Sequence, residues 1–460
     1  MYKLLTKFQK DFISLVILSF TLPLFFYKLG DSTLASFDEA WYAEIARNIV
    51  KSGDVINLTW NGNSYQDHPL AGFWLIALVF KLFGINEFWA RFVPAFSGFL
   101  SIALTYFLGK QLFNRWVGFV SAVALTSTTW FLFRARSGDL DTILLVFFLL
   151  SIFLALKLAN DRRYLIPFSI SLMMLFLTKT LVPFTVIPVL FVIFYRSQIW
   201  KKIGFRDLLL PVFIFIVPIV VWFIFQLIET PDFVQHYLKI GFPGRNVDTS
   251  ISETTGLYKQ YLHNGIGKWF WPGILGLVGG LVLLRRKSFL ILFLFFTTFS
   301  LPFLFSREGH IWHLIPLYPF MLLGCFGFGY AVVKKFTKRK TLATTVILVF
   351  GLYFWLPQVK YNWQQFIGPN AFVADEAILS RESSKYPYRL YIDGDFYPVA
   401  VFYSEKNVQQ IWFEALPIIF AEEEPFLLIS KQERLDGAKI PKLSYKVLKT
   451  DRDKILVLKQ

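Results

Sequence analysis

Apolar residues form long, nearly continuous runs along most of the chain, and short polar connections separate one run from the next. The runs approach the roughly 20 residues that an α-helix needs to cross the hydrocarbon core of a bilayer. We therefore predict a polytopic α-helical membrane protein with about 11 or more transmembrane helices. The predicted spans lie near residues 12–28, 89–109, 116–133, 140–156, 164–179, 181–195, 208–228, 270–284, 289–305, 314–333 and 341–357.

Two of the apolar runs need a separate interpretation. The run over residues 12–27 follows a basic segment, as in a signal peptide. No small-residue cleavage site follows it and many further runs do, so it is interpreted as a retained helix. The run within residues 65–84, YQDHPLAGFWLIALVFKLFG, is shorter and is interrupted by Gly72. It is predicted to lie along the membrane interface without crossing the bilayer.

The composition changes near residue 358, where the long apolar runs end. The segments RLYID, VAVFY, VQQIWF and FLLIS alternate in polarity between turn signals and charge clusters, and they are predicted to be strands. The predicted organisation is a transmembrane domain over residues 1–357, with outer loops 29–88, 229–269 and 306–313, and a small α/β extracytoplasmic domain over residues 358–460.

The distribution of charge predicts the topology. The formal net charge is +16, and the chain is 55% hydrophobic and 19% aromatic. With the N-terminus inside, the excess of Lys and Arg lies on one side of the membrane, for example in the KKFTKRK run at 334–340. This is the positive-inside pattern, and it argues against a nucleic acid partner. An odd number of spans then places the C-terminal domain outside, so the predicted location is the inner membrane with a periplasmic active site.

Two further features narrow the function classes. The single cysteine, Cys325, lies in an apolar run, which excludes an internal disulfide and predicts a small packing residue. The sequence has no Gly-rich nucleotide-binding loop, which argues against a nucleotide-sugar donor used from the cytoplasm.

The stretch FDEAWYAEIA, residues 37–46, carries the adjacent carboxylates Asp38 and Glu39 just after the first apolar run. Ionisable groups at the edge of a membrane are costly and are often functional. One carboxylate can accept a proton from an acceptor hydroxyl while the other binds a metal or orients the first. A second interpretation is a helix N-terminus, where acids favour the helix dipole and cap free N–H groups. Because other charged motifs border the same predicted membrane face, the pair is the first candidate for a catalytic site.

A second group of charged residues follows the third predicted span, in FRARSGDLDT at residues 133–142. It contains Arg134, Arg136, Asp139 and Asp141. The group predicts either a structural ion network that closes the third and fourth spans or a part of the site, with Asp141 pointing inward. Lys179 is interpreted either as a snorkelling anchor or as a further member of the site.

A metal site is a third candidate. Asp67 and His68, together with His236 or His263, could supply ligands to a divalent ion such as zinc or magnesium, because carboxylate and imidazole groups suit such ions. The alternative is that these histidines only form hydrogen bonds at the membrane surface, since the sequence has no close H-x-x-x-H spacing.

The stretch FDEAWYAEIARNIVKSGDVINLTWNGNSYQDHPLAGFWL resembles the first outer loop of the C-type membrane glycosyltransferases, above all the protein O-mannosyltransferases and the lipid A aminoarabinose transferases. The shared signature is an Asp-Glu pair, a Tyr-Ala-Glu helix, a Gly-Asp turn, an acid followed by a basic residue and Pro, and then an aromatic-Trp pair. The RSGDLDT and IPLYP stretches are similar to later motifs of the same group, in the same order. The resemblance covers residues 12–330.

The resemblance implies an inverting transfer of one sugar from a polyprenyl-phosphate donor to a glycolipid such as lipid A, a protein hydroxyl or a growing glycan. It implies that Asp38 is the base, that Glu39 supports it and that Arg245 binds the donor phosphate. His68 stands where the aminoarabinose transferases have a lysine, and Trp41 stands where they have an arginine. The predicted site residues are Asp38, Glu39 and Asp141 for catalysis and Arg245, His68, Tyr42, Asp139, Arg136 and Lys179 for substrate binding.

Three other function classes fit parts of the sequence. A transporter or flippase of a lipid-linked sugar would have discontinuous spans in matching halves and polar groups at mid-membrane depth, whereas here the charges gather at one face. An assembly or sensor protein would explain the outer tail but would leave Asp38, Glu39 and the RSGDLDT motif unexplained. A phosphotransferase would favour several acids on cytoplasmic loops, and these loops hold few.

Overall fold

The computed structural model describes residues 2–35, 37–241, 251–304, 310–394 and 397–459. The α-helices are α1 (Tyr2–Ser19), α2 (Leu22–Phe26), α3 (Asp38–Ser52), α4 (Ala71–Phe83), α5 (Glu87–Leu112), α6 (Arg115–Leu125), α7 (Thr129–Ala135), α8 (Asp141–Leu158), α9 (Leu165–Phe176), α10 (Ile187–Ser197), α11 (Phe205–Glu229), α12 (Phe233–Gly241), α13 (Ile251–Ile266), α14 (Phe270–Gly279), α15 (Lys287–Leu304), α16 (Tyr318–Thr337), α17 (Lys340–Asn362), α18 (Asp375–Ser383), α19 (Tyr397–Ser404), α20 (Leu416–Phe420) and α21 (Gln432–Gly437). The strands are β1 (Thr59–Trp60), β2 (Asn63–Ser64), β3 (Arg389–Asp393), β4 (Val408–Ile411), β5 (Phe426–Lys431), β6 (Tyr445–Asp451) and β7 (Lys454–Lys459).

Within the described residues, eight helical segments are long and apolar enough to cross a membrane. They are Gln9–Phe26, Glu87–Leu112, Asp141–Leu158, Phe205–Glu229, Thr255–Leu284, Lys287–Leu304, Ile311–Thr337 and Lys340–Ile367. Helices α6 and α7 are bent by 72° relative to each other at a short break. If the two helices count as one span, they make a ninth. The predicted fold class, a polytopic helical membrane protein, is confirmed.

Two predicted spans correspond to shorter helices. The prediction for 164–179 falls on α9, and the prediction for 181–195 falls on the apolar segment Val182–Ser197. That segment begins with a short 3-10 helix and continues as α10, and prolines stand at the start of both parts. Proline lacks a backbone N–H, so it is tolerated in the first turn of a helix but interrupts the interior.

Helix α4 lies in the apolar run that was interpreted as an interfacial segment. It has 13 residues, and at about 1.5 Å per residue it extends about 20 Å, less than the roughly 30 Å of a hydrocarbon core. It ends before Gly84, whose φ of 92° is readily adopted only by glycine. The length agrees with the interpretation, and the position of α4 in a membrane stays a prediction.

The chain divides into two compact units, and each is discontinuous in sequence. Unit 1 comprises Met1–Tyr27, Gln66–Gly72 and Pro94–Pro369, and unit 2 comprises Lys28–Tyr65, Phe73–Val93 and Asn370–Gln460. The predicted domain boundary between residues 357 and 358 stays a prediction.

Unit 1 is helical, and aromatic and small residues fill its interior. Phe148, Phe295 and Phe299 are fully buried, with ring centroids 5.3–5.7 Å apart. Gly276 on α14 lies against α16, where an added Cβ would come within 2.4 Å of the Cys325 backbone. Small residues let membrane helices approach closely. Cys325 is itself buried, in agreement with its interpretation as a packing residue.

Unit 2 contains a five-stranded sheet with the strand order β4-β3-β5-β7-β6. Strand β3 pairs in parallel with β4 and β5, whereas β7 pairs antiparallel with β5 and β6. Leu390 and Ile392 enter one apolar core, and Tyr391 between them enters another, as alternate side chains of a strand covered on both faces do. The predicted small C-terminal α/β fold is confirmed.

Individual strand predictions have different outcomes. RLYID and FLLIS form β3 and β5, and VQQIWF contributes β4. The prediction for VAVFY is wrong, because this segment lies in α19 and all of its residues are buried. A short, continuous apolar run does not distinguish a buried strand from a buried helix. Strands β6 and β7 were not predicted.

Candidate active site

The acid pair opens α3, which begins at Asp38. The preceding residue, Phe37, has φ 63° and ψ −124°. For a residue other than glycine, such a sparsely populated backbone conformation costs about 1–3 kcal/mol and persists where the surrounding structure imposes it. The Asp38 side chain is half-buried. The strained backbone at Phe37 therefore sets the direction of the start of α3, where Asp38 lies.

Glu39 has a different environment from its neighbour. It is buried, and its carboxylate accepts two hydrogen bonds from Arg91, from Nε to Oε1 at 2.6 Å and from NH2 to Oε2 at 2.9 Å. The backbone N–H of Ala35 also donates to Glu39 Oε2 at 2.6 Å. A buried carboxylate with these three donors is anchored in place. The geometry therefore assigns Glu39 to holding the loop before α3.

Arg91 completes this arrangement from α5. Its guanidinium group donates to the carbonyl oxygens of Leu29 at 3.0 Å, Ser32 at 2.8 Å and Thr33 at 2.8 Å. A planar guanidinium can serve several acceptors at once. Arg91 was not among the predicted site residues, although an arginine in an apolar run is a recognisable signal of a buried function.

Aromatic residues pack along α3. Trp41 lies 4.8 Å from Trp60 and 5.8 Å from Tyr65, and the buried Tyr42 lies edge-on to Phe73 at 5.4 Å, all between ring centroids. Tyr42 was predicted to contact substrate. The structure places it in the interior of unit 2, and a substrate contact stays a prediction.

Unit 1 contains a buried cluster of two acids and two bases. Arg134 Nε lies 2.7 Å from Asp139 Oδ2, and Arg134 NH2 lies 3.2 Å from Asp141 Oδ2. Lys179 Nζ lies 2.5 Å from Asp141 Oδ1. Asp141 is 2% exposed, so it points inward, and its backbone N–H donates to Asp139 Oδ1 at 2.9 Å. These contacts form the ion network that was one of the two interpretations of the RSGDLDT motif, and Lys179 is part of it.

Aromatic rings cover one side of this cluster. The Arg134 guanidinium lies 4.7 Å from the centroid of the Trp312 ring, which stacks on His310 at 4.4 Å and contacts Trp130 at 5.6 Å. A cation over an aromatic face is stabilised by about 0.5–2 kcal/mol, depending on its hydration. Trp312 was not a predicted site residue, because aromatic residues are too numerous in this chain for one to be selected.

Arg136 lies outside the four-charge cluster. Its guanidinium donates to the carbonyl oxygens of Leu24 at 3.2 Å, Phe25 at 3.1 Å and Tyr27 at 2.8 Å. These groups belong to the C-terminal end of α2 and the residue after it, where carbonyls lack helical partners. Arg136 was predicted to bind substrate; the structure shows it capping a helix end, and a substrate contact stays a prediction.

Two of the three predicted metal ligands are together in unit 1. His236 Nε2 and Asp67 Oδ1 are 2.7 Å apart, whereas His263 contacts Asn264 at 3.3 Å and packs on the Phe270 ring at 5.1 Å. In the part of the chain that the structure describes, no three His, Cys, Asp or Glu side chains converge as metal ligands do. The predicted trio is therefore not assembled within these residues.

The two remaining predicted residues are His68 and Arg245. His68 is half-buried in the segment between Gln66 and Gly72. Arg245, the predicted ligand of the donor phosphate, lies outside the described residues.

Comparison with known sequences supports the resemblance seen in the motifs. The family described as Dolichyl-phosphate-mannose-protein mannosyltransferase matches residues 67–222. An Undecaprenyl phosphate-alpha-4-amino-4-deoxy-L-arabinose arabinosyl transferase of Pseudomonas fluorescens is 30% identical over 172 residues, which is 36% of this chain and 29% of that protein. The chain thus spans less than a third of the length of the first curated relatives that it matches.

The structural comparison extends over nearly the whole chain. ArnT from Cupriavidus metallidurans, bound to undecaprenyl phosphate, matches with a TM-score of 0.73 at 17% identity, covering 96% of this chain and 97% of that one. The chain has the C-type glycosyltransferase fold. The apo oligosaccharyltransferase of Archaeoglobus fulgidus matches with a TM-score of 0.59 at 13% identity, covering 92% of this chain and 69% of that one.

Within this C-type glycosyltransferase fold, the sequence match and the acid pair occupy different stretches. The matched residues 67–222 include Arg91 and the cluster formed by Asp139, Asp141 and its bases, but Asp38 and Glu39 precede them. The resemblance stated from the motifs is confirmed, and the role of each candidate residue stays a prediction.

Proposed function

We propose that this chain is an inverting glycosyltransferase that moves one sugar from a polyprenyl-phosphate donor to an acceptor at the outer, periplasmic face of the inner membrane. The observation that carries the proposal is the place of Asp38. It is a half-buried carboxylate at the first residue of α3, after a strained turn, beside a second acid already paired with Arg91. A fold shared with a protein bound to undecaprenyl phosphate supports the choice of donor.

The proposed reaction is a single displacement at the anomeric carbon. The acceptor oxygen forms a bond to this carbon while the bond from the carbon to the phosphate oxygen breaks, which inverts the configuration. Asp38 accepts the hydroxyl proton, or it stabilises the positive charge that develops on the sugar. The products are the glycosylated acceptor and polyprenyl phosphate. General base catalysis of this kind typically contributes about 10²–10⁴ in rate.

Arg245 is the proposed ligand of the donor phosphate, as the motif resemblance implies. An arginine presents several N–H donors to phosphate oxygens, and charge-assisted hydrogen bonds are strong in a poorly hydrated site. The proposed acceptors are a glycolipid, a protein hydroxyl or a growing glycan, and the relatives' names nominate mannose and 4-amino-4-deoxy-L-arabinose as the sugars to test first.

A divalent ion, zinc or magnesium, is a separate element of the proposal. Asp67 and His236 are the residues that would hold it, because their side chains already meet at 2.7 Å. Such an ion would supply positive charge for a phosphate oxygen. Since no third His, Cys, Asp or Glu side chain joins the pair among the described residues, no step of the proposed reaction depends on the ion.

The test uses the full-length protein purified into lipid nanodiscs. Undecaprenyl-phosphate-linked mannose and aminoarabinose are each offered with lipid A or with a Ser/Thr-containing peptide. We expect one sugar to be transferred to one acceptor class, seen as an increase in the mass of the acceptor. NMR should show an inverted anomeric configuration in the product. The flippase alternative is assayed in proteoliposomes with the same donors. Movement of the donor across the bilayer without any sugar transfer would replace the proposal with that alternative.

A further inference from the structure

A tyrosine near the C-terminus bonds directly to the loop that precedes Asp38. In unit 2, the backbone N–H of Leu34 donates to the Tyr403 hydroxyl at 2.8 Å, and this hydroxyl donates to Glu87 Oε1 at 2.9 Å. Leu34 is fully buried and stands four residues before Asp38. A buried N–H that lost this acceptor would carry the full cost of desolvation. The loop is therefore tied to α19, the helix that carries Tyr403.

The Tyr403 hydroxyl is itself fixed in orientation. The Arg381 guanidinium lies 4.5 Å from the centroid of the Tyr403 ring, and its NH2 group bonds to Glu87 Oε1 at 2.6 Å. Burial raises the pKa of Tyr403 above its ordinary value, so the hydroxyl stays protonated near neutral pH. A protonated hydroxyl can accept from Leu34 and donate to Glu87 at the same time.

Backbone pairing adds to the connection. The N–H of Thr33 donates to the Phe372 carbonyl at 3.0 Å, and the N–H of Phe372 donates to Ser32 Oγ at 3.0 Å. The N–H of Ala374 donates to Thr33 Oγ1 at 3.0 Å. Arg91 bonds to the carbonyl groups of Ser32 and Thr33, so these two successive residues of the loop are bonded both to α5 and to the C-terminal segment.

Helix α3 is attached to α19 as well. Arg47 NH2 donates to the Phe402 carbonyl at 2.8 Å, and its guanidinium lies 4.4 Å from the centroid of the Phe402 ring. Lys51 and Glu405 form an ion pair at 2.6 Å. Burial lowers the pKa of Arg47 to about 10, which still leaves it charged near neutral pH. Both the loop before Asp38 and the helix after it therefore depend on one short helix of the C-terminal segment.

We propose that Tyr403 is a positioning residue for Asp38, and that the C-terminal segment of unit 2 holds the catalytic loop in register. The expected effect of Tyr403 on the reaction rate rests on the proposed function. The expected effect of Tyr403 on the structure of the loop does not. Loss of the Tyr403 hydroxyl would free the Leu34 N–H while the ring still packs under Arg381. A catalytic group displaced by even about 1 Å can lose about a hundredfold in rate.

Hydrogen exchange of the full-length protein in nanodiscs tests the structural part. In Tyr403→Phe we expect peptides covering residues 29–35 to exchange about tenfold faster, the effect of losing a bond worth about 1.4 kcal/mol. The matched control is Tyr391→Phe on β3 of the same unit, which removes the hydroxyl of a buried tyrosine that bonds to Glu422 at 3.4 Å. The control should leave residues 29–35 unchanged. Equal exchange of this loop in Tyr403→Phe and wild type would overturn the proposal.

Steady-state kinetics test the positioning role. We expect Tyr403→Phe to lower kcat about tenfold or more, with an unchanged KM for the donor and full one-to-one donor binding by calorimetry. The binding stoichiometry counts intact molecules, so a merely unfolded fraction would lower it together with kcat. If Tyr403→Phe does not fold, Thr33→Val removes the Ala374 bond from the same loop and should give the same pattern with a smaller amplitude. A normal kcat in a variant whose loop exchanges faster would overturn the positioning role. If the wild-type protein shows no transfer activity, the proposed function is refuted. The hydrogen-exchange result would then still test whether Tyr403 holds the loop.

Discussion

The guanidinium of Arg91 pairs with Glu39 through two hydrogen bonds, at 2.6 and 2.9 Å, while the adjacent Asp38 is only half-buried. Two neighbouring acids of nearly identical chemistry therefore have different environments. Breaking a buried ion pair by removing one partner typically costs about 3–5 kcal/mol, because the other charge is left uncompensated. Stability should depend on Glu39, and chemistry should depend on Asp38.

The first prediction concerns Asp38→Asn. The substitution keeps the shape of the side chain and removes its basicity, so turnover of the polyprenyl-phosphate sugar should fall by about 10²–10⁴. The melting temperature should stay within a few degrees of wild type, because a half-exposed residue contributes little packing. Near-normal turnover in a stably folded Asp38→Asn protein would remove Asp38 from the catalytic role.

Glu39→Gln is the matched comparison for Asp38→Asn. It should lower the melting temperature clearly, because the Arg91 charge loses its carboxylate inside the protein. Turnover per folded molecule should fall less than in Asp38→Asn. A Glu39→Gln protein with wild-type stability and no activity would exchange the two roles.

The second prediction concerns Lys179→Met. Lys179 contacts Asp141 Oδ1 at 2.5 Å, and only 12% of its side chain is exposed. Its removal should lower thermal stability, because Asp141 then keeps, among the residues that the structure describes, only Arg134 as an ion-pair partner. Lys239→Met, at an exposed lysine on α12, is the control and should be neutral. A loss of donor affinity at unchanged melting temperature would instead place Lys179 in the donor site.

The third prediction concerns Arg245→Ala, which should weaken binding of undecaprenyl phosphate without a comparable effect on the acceptor. The reason is the loss of charge-assisted hydrogen bonds to the phosphate. Calorimetry with undecaprenyl phosphate alone measures the affinity for the donor's lipid phosphate. The KM for the acceptor measures the effect on the acceptor side. Unchanged affinity for undecaprenyl phosphate would exclude Arg245 from the phosphate site.

The fourth prediction concerns metal removal. Structural zinc sites use four protein ligands, and the described residues bring Asp67 and His236 together without a third. Treatment with EDTA should therefore leave the melting temperature unchanged. Turnover is measured before and after treatment, and again with zinc or magnesium added back. A metal-restored activity that His236→Ala abolishes would establish a cofactor at this pair.

The fifth prediction concerns topology. In a Cys325→Ala background, a membrane-impermeant thiol reagent applied from outside should label Lys442→Cys and should not label Lys338→Cys, both at exposed positions. The expectation follows from the basic run at 334–340 and the positive-inside rule. The reverse labelling pattern would invert the orientation and move the proposed site to the cytoplasmic face.

Elements with strong local patterns could be predicted from the sequence. The spans follow from apolar length alone, and a helix in the region of α3 follows from Trp41, Ile45 and Ile49, which recur at a spacing of four residues. Local pattern failed where the signal was ambiguous, as in VAVFY, which has the composition of a strand but lies in the buried helix α19.

Pairings between distant residues could not be predicted. Arg91 and Glu39 are separated by 52 positions, and nothing in either local stretch specifies the other. The same holds for Leu34 and Tyr403, 369 positions apart. An arginine inside an apolar run signals that a partner must exist, but only the three-dimensional arrangement identifies it. The sequence could therefore identify both acids as candidate site residues. The structure shows that the two acids have different environments.

Unit 2 consists of three segments, 28–65, 73–93 and 370–460, and the ribosome synthesises the third long after the first two. At about 5–20 residues per second, residues 28–65 are synthesised tens of seconds before β7, an interior strand of the sheet. For most of that interval Tyr403 and Phe402, which bond to Leu34 and Arg47, do not yet exist. An unfinished chain can already be inserted in the membrane while the loop before Asp38 still lacks its bonds to Tyr403, Phe372 and Ala374. Under the proposed function, activity would then arise only after β7 has been synthesised, so chains that end before β7 would not consume the proposed lipid-linked sugar.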